Sequence, residues 1–166
     1  MDLREYPAIR DHLSRWKREL SSRPECRQGR YNWWCLARYA SEYHHVFANP
    51  KIIYPEVANS PRFALDKDGL YPLKTCFVIP KPDLYLLGVL NSSSFLAYQR
   101  LRQNTVRGGY LMNSGIYLAV TPIPQPPVAE RAAITALVQK CLDAKGGGCE
   151  KWEKEINEHV AALYGL

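Results

Sequence analysis

The chain has 166 residues, of which 46% are hydrophobic and 23% charged, so we expect one domain, or one domain with an appendage, and a sizeable core. Its apolar runs are too short for a membrane span, and the charged start Met1–Glu5 lacks the apolar stretch of a signal peptide. The net charge of +6 favours an acidic partner, and five scattered cysteines favour free thiols in a reducing cytoplasm.

The first predicted element is an amphipathic helix over residues 7–22. Pro7 suits the first helical position, and four apolar residues share one face: Ile9, Leu13, Trp16 and Leu20. Residues 23–30 are polar and typical of turns. Residues 31–36 are aromatic and predict a buried or half-buried strand or a short helix, and periodicity does not decide between the two.

The centre of the chain predicts β-structure. Short strands are expected at residues 51–54, 75–79, 84–87 and 116–121. A hairpin is expected over residues 62–71, because Asp68-Gly69 is a favoured turn pair. Between these strands, Asn91 and Ser92 to Ser94 offer N-caps for a helix that ends near Arg102.

After the proline cluster Pro122–Pro127 the pattern becomes purely helical. Apolar residues at helical spacing predict two helices, and Lys145–Gly148 separates them. We therefore predict an α+β fold with a mixed or antiparallel sheet, an N-terminal helix and a C-terminal helical appendage. The expected division is residues 1–125 for the main domain and residues 126–166 for a helical docking segment.

The segment from Leu84 to Ala129 contains no Asp or Glu, although it carries Arg100, Arg102 and Arg107. The basic surplus lies before residue 126, and residues 126–166 have a slight acidic excess. Excluding negative charge over such a length favours a polyanion such as DNA as the partner. Many basic proteins bind no nucleic acid, so charge alone leaves the partner open.

Three kinds of catalytic or metal site find little support in the sequence. Cys26, Cys35, His44 and His45 are spaced far more widely than the ligands of a zinc knuckle. A Mg²⁺-dependent nuclease needs a carboxylate cluster, but Pro82-Asp83 and Asp143-Ala144-Lys145 are far apart in the chain. A methyltransferase needs a Gly-rich loop and an Asn-Pro-Pro-aromatic loop, which the chain lacks. We predict a chain that is not catalytic by itself.

Several short motifs occur in an order that matches a known family. They are Gly29–Trp34, Pro50–Pro55, Lys74–Ile79, Tyr85–Ser92, Thr121–Pro124 and the closing Tyr164–Leu166. In this order they resemble the TaqI-like C-terminal specificity domain, the target recognition domain of type IIG restriction–modification enzymes and related adenine-specific DNA methyltransferases. The family is akin to one half of a type I specificity subunit. The segment between Tyr54 and Lys74 is short, and the variable loops of this family set specificity.

The resemblance implies a module that recognises a short sequence of double-stranded DNA. It also implies a methyltransferase, often with a nuclease, upstream on the same polypeptide. No cofactor is expected on this chain, since S-adenosylmethionine and Mg²⁺ would belong to the upstream domains. We expect a cytoplasmic protein with no membrane partner. The alternative is a protein-interaction module that docks on a methyltransferase core without recognising bases.

The candidate DNA-binding residues divide into two groups. The first comprises basic residues that could contact phosphates, namely Lys51, Arg62, Lys67, Lys74, Arg100, Arg102 and Arg107. The second comprises polar residues that could hydrogen-bond to base edges, namely Gln103, Asn104 and Asn113. No catalytic or metal-binding residue is predicted.

Overall fold

The computed structural model of the chain describes residues 2–36, 43–102, 105–106 and 108–166. The chain divides into two compact units, Met1–His44 and His45–Leu166. No helix within the described residues has the length and apolar character that crossing a membrane requires.

The first unit is built from short helices. A 3₁₀ turn at Leu3–Glu5 is followed by α1 (Pro7–Ser14), α2 (Lys17–Ser21) and α3 (Pro24–Arg27). The prediction of one helix over residues 7–22 was wrong, because the backbone of Trp16 leaves the helical region at φ −112° and ψ 14°. Residues 31–36 form turns, neither strand nor helix, because the Arg23 guanidinium donates to the carbonyls of Trp33 and Cys35 at 2.7 and 2.9 Å.

The described strands of the second unit form two small antiparallel sheets. The strands are β1 (Lys51–Pro55), β2 (Val57–Ala58), β3 (Ala64–Asp66), β4 (Cys76–Ile79), β5 (Thr105–Val106) and β6 (Tyr110–Met112). Sheet A has the order β3-β1-β4, and sheet B has the order β2-β6-β5. The predicted strands at 51–54 and 75–79 are confirmed as β1 and β4.

The described part of the second unit also contains helices, the first of which begins at the last residue of the first unit. They are α4 (His44–Ala48), α5 (Leu84–Asn91), α6 (Ser93–Arg102), α7 (Gly115–Ala119), α8 (Val128–Asp143) and α9 (Glu150–Leu163). The α+β class is confirmed, as are the helix ending at Arg102 and the two C-terminal helices.

Two predicted strands are helices in the structure. Residues 84–87 begin α5, where the Asp83 carboxylate caps the helix by accepting from the Leu86 N–H at 3.2 Å. Residues 116–121 overlap α7, which the Ser114 hydroxyl caps through the Ile116 N–H at 3.3 Å. Short apolar runs fit a buried helix as well as a buried strand, so the capping residues decide the outcome.

The predicted hairpin at residues 62–71 was also wrong. Strand β3 pairs with β1, and the residues after it turn around the side chain of Asp66. Its carboxylate accepts from the Asp68 and Leu70 N–H groups, each at 2.9 Å. Gly69 has φ +74°, which confirms the turn itself, because the left-handed region favours glycine.

The core of the second unit is shared by sheet A, α5 and the two C-terminal helices. Ile52, Tyr85, Val89, Ile134 and Val160 are among its most buried members. Helix α5 approaches α8 closely at Gly88, where an added Cβ would lie 2.9 Å from Cγ2 of Val138 and 3.2 Å from Cγ2 of Ile134. The C-terminal helices are therefore packed into the core through their apolar sides.

The proline segment Pro122–Pro127 connects α7 to α8 and is held by two tyrosines. The hydroxyl of buried Tyr85 donates to the Pro124 carbonyl at 2.9 Å, and that of Tyr164 donates to the Pro122 carbonyl at 2.7 Å. Burial, with smaller effects from Tyr85 and Tyr98, raises the pKa of Tyr164 to about 12. The phenol therefore stays protonated and remains a donor at neutral pH.

Candidate nucleic-acid interface

Arg100 and Arg102 lie in the last turn of α6, and both are exposed. The helix is anchored by Phe95 and Gln99, which are each 1% exposed. Neither arginine forms a salt bridge with any residue that the structure describes. Their guanidinium groups are therefore available to a polyanion.

Arg62, Lys67 and Lys74 are also exposed, and each is without a salt bridge in the described part of the chain. Arg62 precedes Phe63, whose backbone N–H and carbonyl bind the Asn91 amide at 3.1 and 2.9 Å. This contact fixes Arg62 beside the end of α5. Lys67 and Lys74 lie on the connection between β3 and β4.

Lys51 is placed differently, because its side chain is 0% exposed. Lys51 and Asp66 are direct partners in the β1–β3 register, and the Nζ atom forms a salt bridge with the Asp66 carboxylate. The same ammonium donates to the Phe47 carbonyl at 2.6 Å and to the Asn49 carbonyl at 3.4 Å. With three acceptors inside the fold, Lys51 has no donor left for a phosphate.

The pKa of Asp66 is held below its ordinary value of 3.8, first by the hydrogen bond from Lys51 and then by those from the backbone of Asp68 and Leu70. A carboxyl with a lowered pKa stabilises the folded state fully above the unfolded-state pKa, and that stability is lost as the pH falls through the folded-state pKa.

We therefore expect the free energy of unfolding to fall as the pH is lowered below 3.8, and to fall less steeply in Asp66→Asn. Urea unfolding followed by circular dichroism over this acid range measures both slopes. Parallel slopes in the two proteins would show that Asp66 contributes nothing to acid sensitivity.

Asn113 is buried as well, at the end of β6. Its side-chain amide donates to the Pro55 carbonyl at 3.0 Å, and its oxygen accepts from Nε2 of Gln99 at 2.8 Å. Its backbone N–H donates to the Glu56 carbonyl at 2.7 Å. The side chain of Asn113 thus joins α6 to the end of β1 and is not turned towards a base.

The remaining predicted residues, Gln103, Asn104 and Arg107, lie outside the described residues. Among the predicted residues that are described, no hydrogen bond or salt bridge joins one to another. Two predicted residues instead contact partners that the sequence did not predict. Lys51 binds Asp66, and Asn113 binds Gln99. Strand pairing and packing create both contacts, so no local sequence motif predicts them.

The first unit contains a basic and aromatic concavity that the sequence patterns did not predict. It has a volume of about 780 Å³, and its lining includes Arg10, Lys17, Trp33 and Trp34. The two indole rings meet edge to face at 5.6 Å between centroids, and the Lys17 ammonium lies 5.6 Å from the Trp33 ring. Lys17 and Trp33 are far apart in the chain, so no local sequence pattern predicts their contact.

No group of three or more His, Cys, Asp or Glu side chains arranged to hold a metal ion occurs among the described residues. Cys26, Cys35, Cys76, Cys141 and Cys149 are free thiols. Burial, followed by the neighbouring Cys149, raises the pKa of the Cys141 thiol to about 11. Cys141 is therefore a poor thiolate at neutral pH.

The sequence matches the model of a known protein family. The model describes a TaqI-like C-terminal specificity domain and covers residues 10–123, which is more than half of the sequence. The matched range includes both sheets, the second part of α1, helices α2 to α7 and the beginning of the proline segment. The chain therefore belongs to the family of TaqI-like C-terminal specificity domains.

Proposed function

We propose that this chain recognises a short sequence in duplex DNA and presents it to an adenine methyltransferase upstream on the same polypeptide. The observation that carries the proposal is the family match over residues 10–123. Five exposed cations without salt bridges among the described residues support it: Arg62, Lys67, Lys74, Arg100 and Arg102. A nuclease on the same parent polypeptide, as in type IIG enzymes, and a cytoplasmic location belong to the same proposal.

In this proposal the chain supplies binding and orientation and takes no part in the chemical step. Its cations neutralise backbone phosphates, which fixes the position of the domain on the duplex and gives a salt-dependent affinity. S-adenosylmethionine and Mg²⁺ are held by the upstream domains. We leave Lys51 and Asn113 out of the proposed interface, because their polar atoms are used within the fold.

Reversing the two charges on α6 tests the proposal. We expect Arg100→Glu/Arg102→Glu to weaken binding to random duplex by about tenfold or more at low salt, and to reduce the slope of log K against log salt by about 2. Mobility shifts over a series of salt concentrations provide both values.

The matched control is Lys151→Glu/Lys154→Glu on α9, where both lysines are exposed but lie in the slightly acidic C-terminal segment. We expect this variant to bind duplex much as the wild type does. Equal losses in the two variants would show that only net charge matters, and an unchanged slope in the α6 variant would remove α6 from the interface.

The alternative of a protein-interaction module has one specific observation in its favour. In the first unit, Tyr6, Ile9 and Trp16 are exposed apolar residues around α1. The C-terminal helices give it less support, since Ile134, Val138 and other residues of their apolar sides are packed into the core. A wild-type chain that shifts no duplex at low or moderate salt, and instead binds the upstream domains, would favour this alternative.

A further inference from the structure

Sheet B has one closed face and one open face. Val57 pairs with Met112, and Ala58 pairs with Leu111, so side chains alternate between the two faces. Ala58 and Leu111 are buried at 4% and 2% exposure. On the opposite face Val57 and Tyr110 are each 42% exposed and Met112 is 37% exposed. Strands β5 and β6 thus form a two-stranded ribbon with an open apolar and aromatic side.

The end of this ribbon is fixed by a buried polar network. Asn113, directly after β6, binds Gln99 of α6 and the carbonyl of Pro55 through its side chain. Gln99 and Asn113 are 1% and 2% exposed, so solvent does not compete with these hydrogen bonds. The ribbon is therefore held at a set position relative to α6 and its two exposed arginines.

Gly108 and Gly109 precede β6 and are the described residues between the two strands of the ribbon. The Gly109 N–H donates to the Val106 carbonyl at 3.1 Å and closes the turn. Gly108 and Gly109 have φ +86° and +76°, and a Cβ added to Gly109 would meet no heavy atom within 4 Å. A ligand can therefore approach the backbone of Gly109 closely.

The charge around the ribbon suits a polyanion. None of the strand residues of β2, β5 and β6 carries a charged side chain. Both ribbon strands lie in the segment from Leu84 to Ala129, which has no acidic residue. The residue before β2 is the acidic Glu56, which is half-buried. Its backbone carbonyl accepts from the Asn113 N–H, and its backbone N–H donates to the Thr75 carbonyl.

We propose that the β5–β6 ribbon enters the major groove of the duplex and that Tyr110 and Met112 contact base edges there. The inference rests on the proposed function and adds the element that recognises bases. The major groove is wide enough for a two-stranded β-ribbon, and its base edges include the thymine methyl group, which binds apolar side chains. The Tyr110 hydroxyl adds a donor and acceptor for a neighbouring edge.

Selection from a random duplex pool, using the full chain, tests this assignment. We expect the wild type to enrich a sequence motif. In Tyr110→Ala/Met112→Ala, discrimination should fall by about tenfold at one or more motif positions, because those contacts carry sequence information. Affinity for random duplex should change by less than about threefold, because phosphate contacts carry that affinity.

Two further variants sharpen the test. Val128→Ala/Leu166→Ala removes exposed apolar side chains from the C-terminal segment and should leave the motif unchanged. Tyr110→Phe keeps the ring and removes only the hydroxyl, so it reports on one hydrogen-bonding group with little risk to folding. Circular dichroism confirms that each variant is folded before selection.

The outcomes separate this inference from the function on which it rests. A wild type that binds no duplex overturns the proposed function. If the wild type binds DNA but selects the same motif as Tyr110→Ala/Met112→Ala, or if neither protein selects a motif, the ribbon assignment alone is overturned. A loss of random-duplex affinity as large as the loss of discrimination also overturns it. So does a wild-type dimer that Tyr110→Ala/Met112→Ala dissociates, because the open face would then belong to a second copy.

Discussion

Lys51→Met is expected to lower the free energy of unfolding by about 3–5 kcal/mol, because it leaves the buried Asp66 carboxylate without its counterion. Methionine has nearly the length and shape of the lysine stem, so most of the cost comes from the lost charge and hydrogen bonds. Asp66 would keep its hydrogen bonds from Asp68 and Leu70, which limits the loss. Urea unfolding at neutral pH measures the difference.

The control is Lys154→Met, which removes an exposed partner of Glu158 at 3.8 Å. Exposed pairs of this kind contribute about 0.5 kcal/mol or less. If Lys51→Met cost no more than Lys154→Met, the buried pair would not stabilise the fold. Folded Lys51→Met should also keep the wild-type salt dependence of duplex binding, which distinguishes a structural lysine from a phosphate contact.

Gly88→Ala is expected to lower the free energy of unfolding by about 1–2 kcal/mol, although alanine is the better helix former. The new methyl group would lie 2.9 Å from Cγ2 of Val138 and 3.2 Å from Cγ2 of Ile134. Both neighbours are β-branched and have few alternative rotamers in α8. Helices α5 and α8 would have to move apart to admit the methyl group. Thermal and urea unfolding both report the change.

Gly115→Ala is the matched control, because an added Cβ there meets nothing within 4 Å. It should leave stability unchanged or raise it slightly. A double-mutant cycle of Gly88→Ala with Val138→Ala should show non-additivity of about 1 kcal/mol, since the smaller residue makes room for the methyl group. Additive effects would contradict a direct contact between the two positions.

Periodicity predicted the long and strongly patterned elements correctly. Helices α8 and α9 were found because apolar residues recur at helical spacing along each of them. The short strands β1 and β4 were found because each is an apolar run next to a proline. Helices α5 and α7 were missed for a different reason. Their apolar runs are short, and the capping side chains of Asp83 and Ser114 decide their conformation.

In the candidate site, the sequence predicted the exposure of some residues but not the burial of others. Exposure of Arg100 and Arg102 could be anticipated, because both lie off the apolar stripe of a predicted helix. Burial of Lys51 could not, since its partner Asp66 is fifteen residues away and becomes a neighbour only through the β1–β3 register. The role of Gln99 was equally hidden, because its partner Asn113 lies beyond the whole β5–β6 ribbon.

The proline segment Pro122–Pro127 between α7 and α8 is attached to the fold by the side chain of Ile123, which packs against the core, and by two of its carbonyl groups. Pro122, Pro124, Pro126 and Pro127 have no amide proton, so within Pro122–Pro127 only Ile123 and Gln125 could donate a backbone hydrogen bond to the edge of a neighbouring β-strand. Tyr85 and Tyr164 use two of its carbonyls as acceptors instead. An extended segment built in this way can cross a protein surface without acting as a template on which another chain adds a strand.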